Sequence, residues 1–175
     1  ERPSREKQFQ RVLSFKAAFA LLNPRISMGI TDSDSVLLDT RDFTPKYFWS
    51  HLKGAIHSPW RMFTKRHRSG ELLDLNSLQF KIRSLGISKA QTVIIYGDWI
   101  DGWGEEARML WLLEYLGHSN VFIIEGGWNA LKDTGLPLVW GKSPQVKSSS
   151  WIIEPQIEWR ADTKKVLELL KDQRL

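Results

Sequence analysis

Four carboxylates, two tryptophans and three glycines are packed into residues 97–106, where Gly97, Asp98, Trp99, Ile100, Asp101, Gly102, Trp103 and Gly104 run into Glu105 and Glu106. Clustered acids suggest a divalent cation or proton transfer. The spacing of Asp98, Asp101, Gly102 and Glu105 does not match a calcium loop, and acids at a helix start are favoured by its dipole alone. No metal or cofactor is therefore expected. Nucleophilic chemistry fares no better: residues 97–104 hold no Ser, Thr, His or Lys, and the chain contains no cysteine. That composition excludes a disulfide, a thiolate metal site and a cysteine nucleophile. His51, His57 and His118 are dispersed, with no carboxylate or serine at a triad spacing. Trp99 and Trp103 remain as large aromatics on a glycine-bearing loop, suited either to anchoring a protein partner or to packing against another domain.

The elements that position this loop follow from the flanking pattern. Val93, Ile94 and Ile95 form a β-branched run without alternation, the signature of a strand buried on both faces, and the stretch from Glu105 to Leu116 has helical periodicity. Backbone N–H groups between such a strand and helix form a concavity suited to an anion. Upstream, residues 11–23 suggest a short strand and a helix capped by Ser14 and stopped by Pro24, and residues 26–35 a turn-rich connection. Val36 to Leu38 is a second buried strand running into Asp39 and Arg41; Thr44 is expected to cap a helix beginning at Pro45 and ending near His51. A strand starts around Gly54 to Ile56. Asn76 or Ser77 opens a helix with Leu78, Ile82 and Leu85 on one face, ended by Gly86. Val121 to Ile124 is another strand, Gly126 and Gly127 turn into a short helix, and Gly135 to Pro137 end the compact part. Strands alternating with helices over short turns predict an α/β fold in three α/β/α layers around a mainly parallel sheet of about five strands.

A length of 175 residues with 42% apolar content suffices for one domain and an extension. No apolar stretch approaches the roughly 20 residues of a membrane span, so a soluble protein of the cytoplasm or an organelle is expected, with no membrane partner. The net charge of +5 is scattered, and Lys65, Arg66, His67 and Arg68 read as a solvated loop near Arg61. Nucleic acid is not an expected partner, because binding it needs a continuous basic stripe or a base-stacking platform.

Taken in order, LLDTRD at 37–42, HLKGAIHSPW at 51–60, LGI at 85–87, VIIYGD at 93–98, YLGHSNV at 115–121 and EGGWNAL at 125–131 resemble the rhodanese family, whose sulfurtransferases carry sulfur as a cysteine persulfide. The likeness covers about residues 11–140, with Ser50 where the family's turn usually has Gly. It implies the rhodanese-like three-layer fold. It also implies that the nucleophile belongs directly after Tyr96, where Gly97 or Asp98 stands; neither can hold a persulfide. Active loops of the family receive an anionic donor such as thiosulfate. Here four acids, with Arg108 as the nearest base, oppose it: like charges about 4 Å apart cost on the order of 4 kcal/mol.

The resemblance is nearest to the first half of tandem sulfurtransferases, in which only the second domain carries the cysteine. WRADTKKVLELL, residues 159–170, looks like the start of such a second domain, after a Ser, Lys and Pro-rich linker at 141–150. The polar residues at the start read as a disordered tail, set at 1–10; the resemblance implies a rhodanese-like domain at 11–140, and the linker composition with the likeness after it gives a linker and the first helix of a truncated second domain at 141–175. Asp39 and Arg41 are read as holding the strand end together, Asp39 by capping loop backbone and Arg41 by pairing with an acid, and His51 as structural. The expected chain is an inactive member: either the leading half of a tandem thiosulfate or 3-mercaptopyruvate sulfurtransferase, partnered by a second rhodanese domain, or a stand-alone binding or regulatory module.

Overall fold

The computed structural model describes residues 11–14, 16–20, 22, 34–66, 70–161 and 163–171. Its centre is a five-stranded sheet in the order β1 (Val12–Leu13), β6 (Val121–Ile124), β5 (Thr92–Tyr96), β2 (Ser35–Asp39) and β4 (Ile56–His57), with every pairing parallel. Alternation along β5 sends its side chains to two separate cores, as the two-residue period of a strand demands. Val93 and Ile95 pack with Val36, Leu38, Val121 and Ile123 beneath α2 (Leu75–Ser84) and α3 (Glu105–Tyr115). Ile94 and Tyr96 face the other way, onto Ala18 and Leu22 of the first helical segment, Leu52, Ala55, Ile124 and Leu131 of α4 (Gly127–Leu131). The expected three-layer α/β/α architecture is the one observed.

Several local details differ from the sequence reading. Helix α1 (Thr44–Trp49) has Phe43, not Thr44, at its N-cap and no side-chain cap; Pro45, whose missing N–H costs nothing in the first turn, supplies the start. Helix α2 is capped by Asp74, whose Oδ1 accepts the Ser77 N–H at 3.0 Å, so it begins earlier than Asn76. Ser14 does accept from the Ala17 N–H at 3.3 Å. The Pro24 stop, most of the connection at 26–35, the tail at 1–10, His67 and Arg68 lie outside the described residues.

The compact part also continues past Pro137. β7 (Leu138–Val139) pairs antiparallel with β3 (His51–Leu52), a small second sheet that two-residue strands leave without a periodic signal. The stretch with linker composition is extended yet pinned. Ser143 Oγ accepts the His57 N–H at 3.0 Å, the Trp151 carbonyl accepts from Gln79 and Arg83 at 2.7 and 3.0 Å, and Trp151 is buried beside His118. The backbone N–H groups of Glu154 and Gln156 then donate to Leu116 and Tyr115 carbonyls. After a 3-10 turn (Ile157–Trp159), helix α5 (Thr163–Lys171) buries none of its residues. No helix among the described residues is long and apolar enough to cross a membrane.

Candidate functional site

The strand register sets the site. Asp39 lies opposite both Tyr96 and His57, so β2, β4 and β5 end level with one another, and the loops that follow them open on one carboxyl edge of the sheet. On one side of that edge Asp39 and Arg41, both essentially buried, form a forked ion pair. Arg41 Nη2 reaches Asp39 Oδ2 at 2.6 Å and Arg41 Nε reaches Oδ1 at 3.0 Å, while Nη2 also donates to the Ser50 carbonyl at 2.6 Å. The Arg41 backbone N–H adds a bond to Asp39 Oδ1 at 3.0 Å. The guanidinium lies 4.0 Å from the centre of the Trp128 ring. Burial works against its charge, but the Asp39 pair outweighs this and raises the Arg41 pKa.

Behind this pair Tyr47 is sandwiched between His51 and His57, with ring centres 3.8 and 4.6 Å away. Its hydroxyl donates to the Ala55 carbonyl at 2.7 Å, and burial pushes its pKa up to about 12. His51 Nδ1 meets the Tyr47 carbonyl at 2.8 Å; burial lowers the His51 pKa. The stack of Tyr47 with His51 forms where the chain leaves α1 through extended Ser50 into β3, and the stack with His57 is a tertiary contact that spacing cannot reveal.

Across the edge lies the loop. Gly97, directly after β5, is wedged between two neighbours. Its carbonyl accepts the Trp128 N–H at 2.8 Å, and Gly127 must also be glycine there, since a Cβ would stand 2.4 Å from that carbonyl oxygen. A Cβ on residue 97 would lie 2.3 Å from Glu106 Oε2 and 2.8 Å from Thr40 Oγ1. Trp99 has φ 56°, the sole left-handed non-glycine among the described residues, and is half-buried against the α2 and α3 core. Ile100 and Trp103 stand out at 88% and 83% exposure. The two tryptophans, equivalent in sequence, therefore separate into a packed Trp99 and a free-standing Trp103.

The four acids do not form the uniform repulsive patch expected. Asp98 Oδ2 pairs with Lys46 Nζ at 2.7 Å, Asp101 Oδ2 accepts from Asn129 Nδ2 at 2.7 Å, and Glu105 Oε2 accepts the Trp103 N–H at 2.8 Å. Glu106 is the exception: it is buried, its Oε2 has no partner, and desolvation first, then Glu105 and Asp98, raises its pKa. Lys46, missed in the sequence because it comes from another helix, is the base that meets the loop. Arg108 is exposed and lines a neighbouring groove of about 1580 Å³ with Arg66, Lys81, Trp60, Trp103 and Trp111, so the fold gathers cations that are scattered along the chain. No metal-binding group of three His, Asp or Glu occurs among the described residues.

The family profile described as a rhodanese-like domain matches residues 26–134. The chain belongs to the rhodanese-like domain family. Among curated rhodanese relatives, a thiosulfate sulfurtransferase of Corynebacterium glutamicum is 28% identical over 108 residues, 62% of this chain and 32% of that protein. A 3-mercaptopyruvate sulfurtransferase of Mus musculus is 37% identical over 60 residues, 34% of this chain and 20% of its own length. The chain thus spans a third or less of either relative. The solved structure of YnjE superposes with TM-score 0.74 at 22% identity, covering 92% of this chain and 39% of YnjE. SseA from Escherichia coli, a 3-mercaptopyruvate sulfurtransferase, gives TM-score 0.74 at 17% identity, covering 93% of this chain and 62% of SseA. At such identities the structures establish the rhodanese fold. The chain contains no cysteine.

Proposed function

We propose that this chain is a non-catalytic rhodanese-like domain, the leading half of a tandem sulfurtransferase using thiosulfate or 3-mercaptopyruvate, and that it supplies scaffold and part of the active-site wall to a second domain carrying the cysteine. The observation that carries this reading is the residue after β5: Gly97, with no side chain, stands at the nucleophile's place in a chain without cysteine. Persulfide chemistry needs a thiolate to attack the donor and to be regenerated by the acceptor. The names of the relatives and the share of their length that the chain spans support a role as one part of a larger enzyme.

In an assay of this chain with thiosulfate and cyanide, no thiocyanate forms above the blank; turnover would overturn the proposal. The tandem role is tested on the uninterrupted gene product. A second domain with a cysteine after its central strand, whose turnover falls when residues at the Asp98 loop are replaced, is the expected result.

A second reading, a binding or regulatory module, draws on the exposure of Ile100 and Trp103 at the loop tip. Apolar side chains standing clear of the core are the anchors such a module would use. Under it, the natural protein has no cysteine-bearing second domain, and W103A abolishes capture of the partner.

A further inference from the structure

Glu106 occupies an unusual place for an acid in the first turn of a helix. A carboxylate serving the dipole alone contributes little and is at home at the surface. Glu106 is instead 4% exposed with an unpartnered Oε2. Leaving such an oxygen buried without a partner costs more than the dipole returns. Something other than helix capping has to account for its position.

The geometry around residue 97 identifies that position. The missing Cβ would touch Glu106 Oε2 at 2.3 Å and Cδ at 3.2 Å, well inside the roughly 3.5 Å of ordinary contact. On its other side Thr40 Oγ1, at 2.8 Å, is fixed by its own bond to the Tyr96 carbonyl at 3.1 Å. The space into which a nucleophile would project is therefore already filled by a carboxyl group.

We propose that Glu106 is the built-in occupant of the sulfur seat, so that sulfur chemistry is blocked twice, by the absence of a thiol and by a carboxyl standing in its place. The proposal rests on reading the loop as the remnant of a sulfur site, but not on the tandem arrangement. It has a specific consequence. A cysteine introduced at residue 97 is accommodated only if the Glu106 carboxyl and the Thr40 hydroxyl are displaced. With Glu106 cut back to alanine, the thiolate can attack the outer sulfur of thiosulfate; a cysteine–sulfur bond forms, the donor's S–S bond breaks and sulfite leaves with the electron pair. Cyanide then takes that sulfur as thiocyanate and the thiolate returns.

The test has two parts, and because the chain has no other cysteine every sulfur gained maps to residue 97. In a denaturation cycle of G97A, E106A and G97A/E106A, the alanine at 97 is expected to destabilise the protein more when Glu106 is present than when it is not, the contact with Thr40 Oγ1 being common to both. With thiosulfate, intact-mass measurement is expected to show one added sulfur atom on G97C/E106A and none on G97C. Additive effects in the cycle, failure of G97A/E106A to fold, equal uptake by both cysteine variants, or a folded G97C/E106A that takes up no sulfur would each overturn the proposal. Thiocyanate formation by the unmodified chain would instead sink the reading of the chain as inactive, so the two failures are distinguishable.

Discussion

The two halves of the sheet's carboxyl edge are built to different standards. On the β2 side, Asp39, Arg41, Tyr47, His51 and His57 are knit by forked hydrogen bonds and stacked rings, and the buried charges of Asp39 and Arg41 face each other. On the β5 side, Asp98 and Asp101 find partners from distant elements, Glu105 accepts from the Trp103 N–H of its own loop, and Glu106 is buried with an unpartnered oxygen. A saturated network is what structure demands of buried polar groups. Buried atoms without a partner also occur at Ser58 Oγ, Ser149 Oγ and Trp151 Nε1, and Glu106 Oε2 differs from these in belonging to a carboxyl group.

The largest effect that would sharpen this contrast is on the side of the forked ion pair. D39A leaves Arg41 buried without its partner and is expected to lose about 3–5 kcal/mol in urea denaturation, since breaking one half of a buried pair strands the other charge. A loss no larger than a surface substitution would erase the distinction between the halves. Next comes G97A, expected to cost about 1–3 kcal/mol because the added methyl overpacks against Glu106 and Thr40.

Smaller again is the pH response of Glu106. Its folded-state pKa is raised from the ordinary 4.5, so the folded protein holds the proton more tightly than the unfolded chain. Stability from this group is full below 4.5 and is lost as pH rises through that value toward the raised one. E106Q is expected to remove this falling component relative to wild type in denaturation midpoints followed across acidic pH. An unchanged slope would place the carboxyl in water. Smallest is W103A, expected to shift stability by no more than about 0.5 kcal/mol by the same measurement, because the ring stands at 83% exposure. A larger loss would mean that the loop tip is part of the core.

How much of this was legible beforehand depends on the range of the interaction. Buried strands such as Val93 to Ile95, the glycine after Tyr96 and the missing cysteine are local facts, and the fold class follows from the strands and the helices between them. Asp39 and Arg41 lie two residues apart, so their pairing too is a short-range matter. By contrast Lys46 meets Asp98 from 52 residues away and Asn129 meets Asp101 from 28 residues away, contacts that only the folded chain creates. The seating of Glu106 was hidden for a different reason: an acid in the first turn of a helix already had a sufficient explanation in the dipole. The caps of α1 and α2 were misplaced because Thr44, Asn76 and Ser77 are plausible caps, and tertiary context selected their neighbours Phe43 and Asp74.

The hold on Trp151 bears on where this polypeptide can be cut. A protease acting between residues 141 and 150, where the composition invites cleavage, would nick the backbone without releasing the segment that follows, which stays clasped by Gln79, Arg83 and the end of α3. Shortened to Trp140, the protein would instead lose that indole and leave His118 and the α2–α3 seam open to water. The contacts that hold the compact part together thus run to Gln156, past the change in composition.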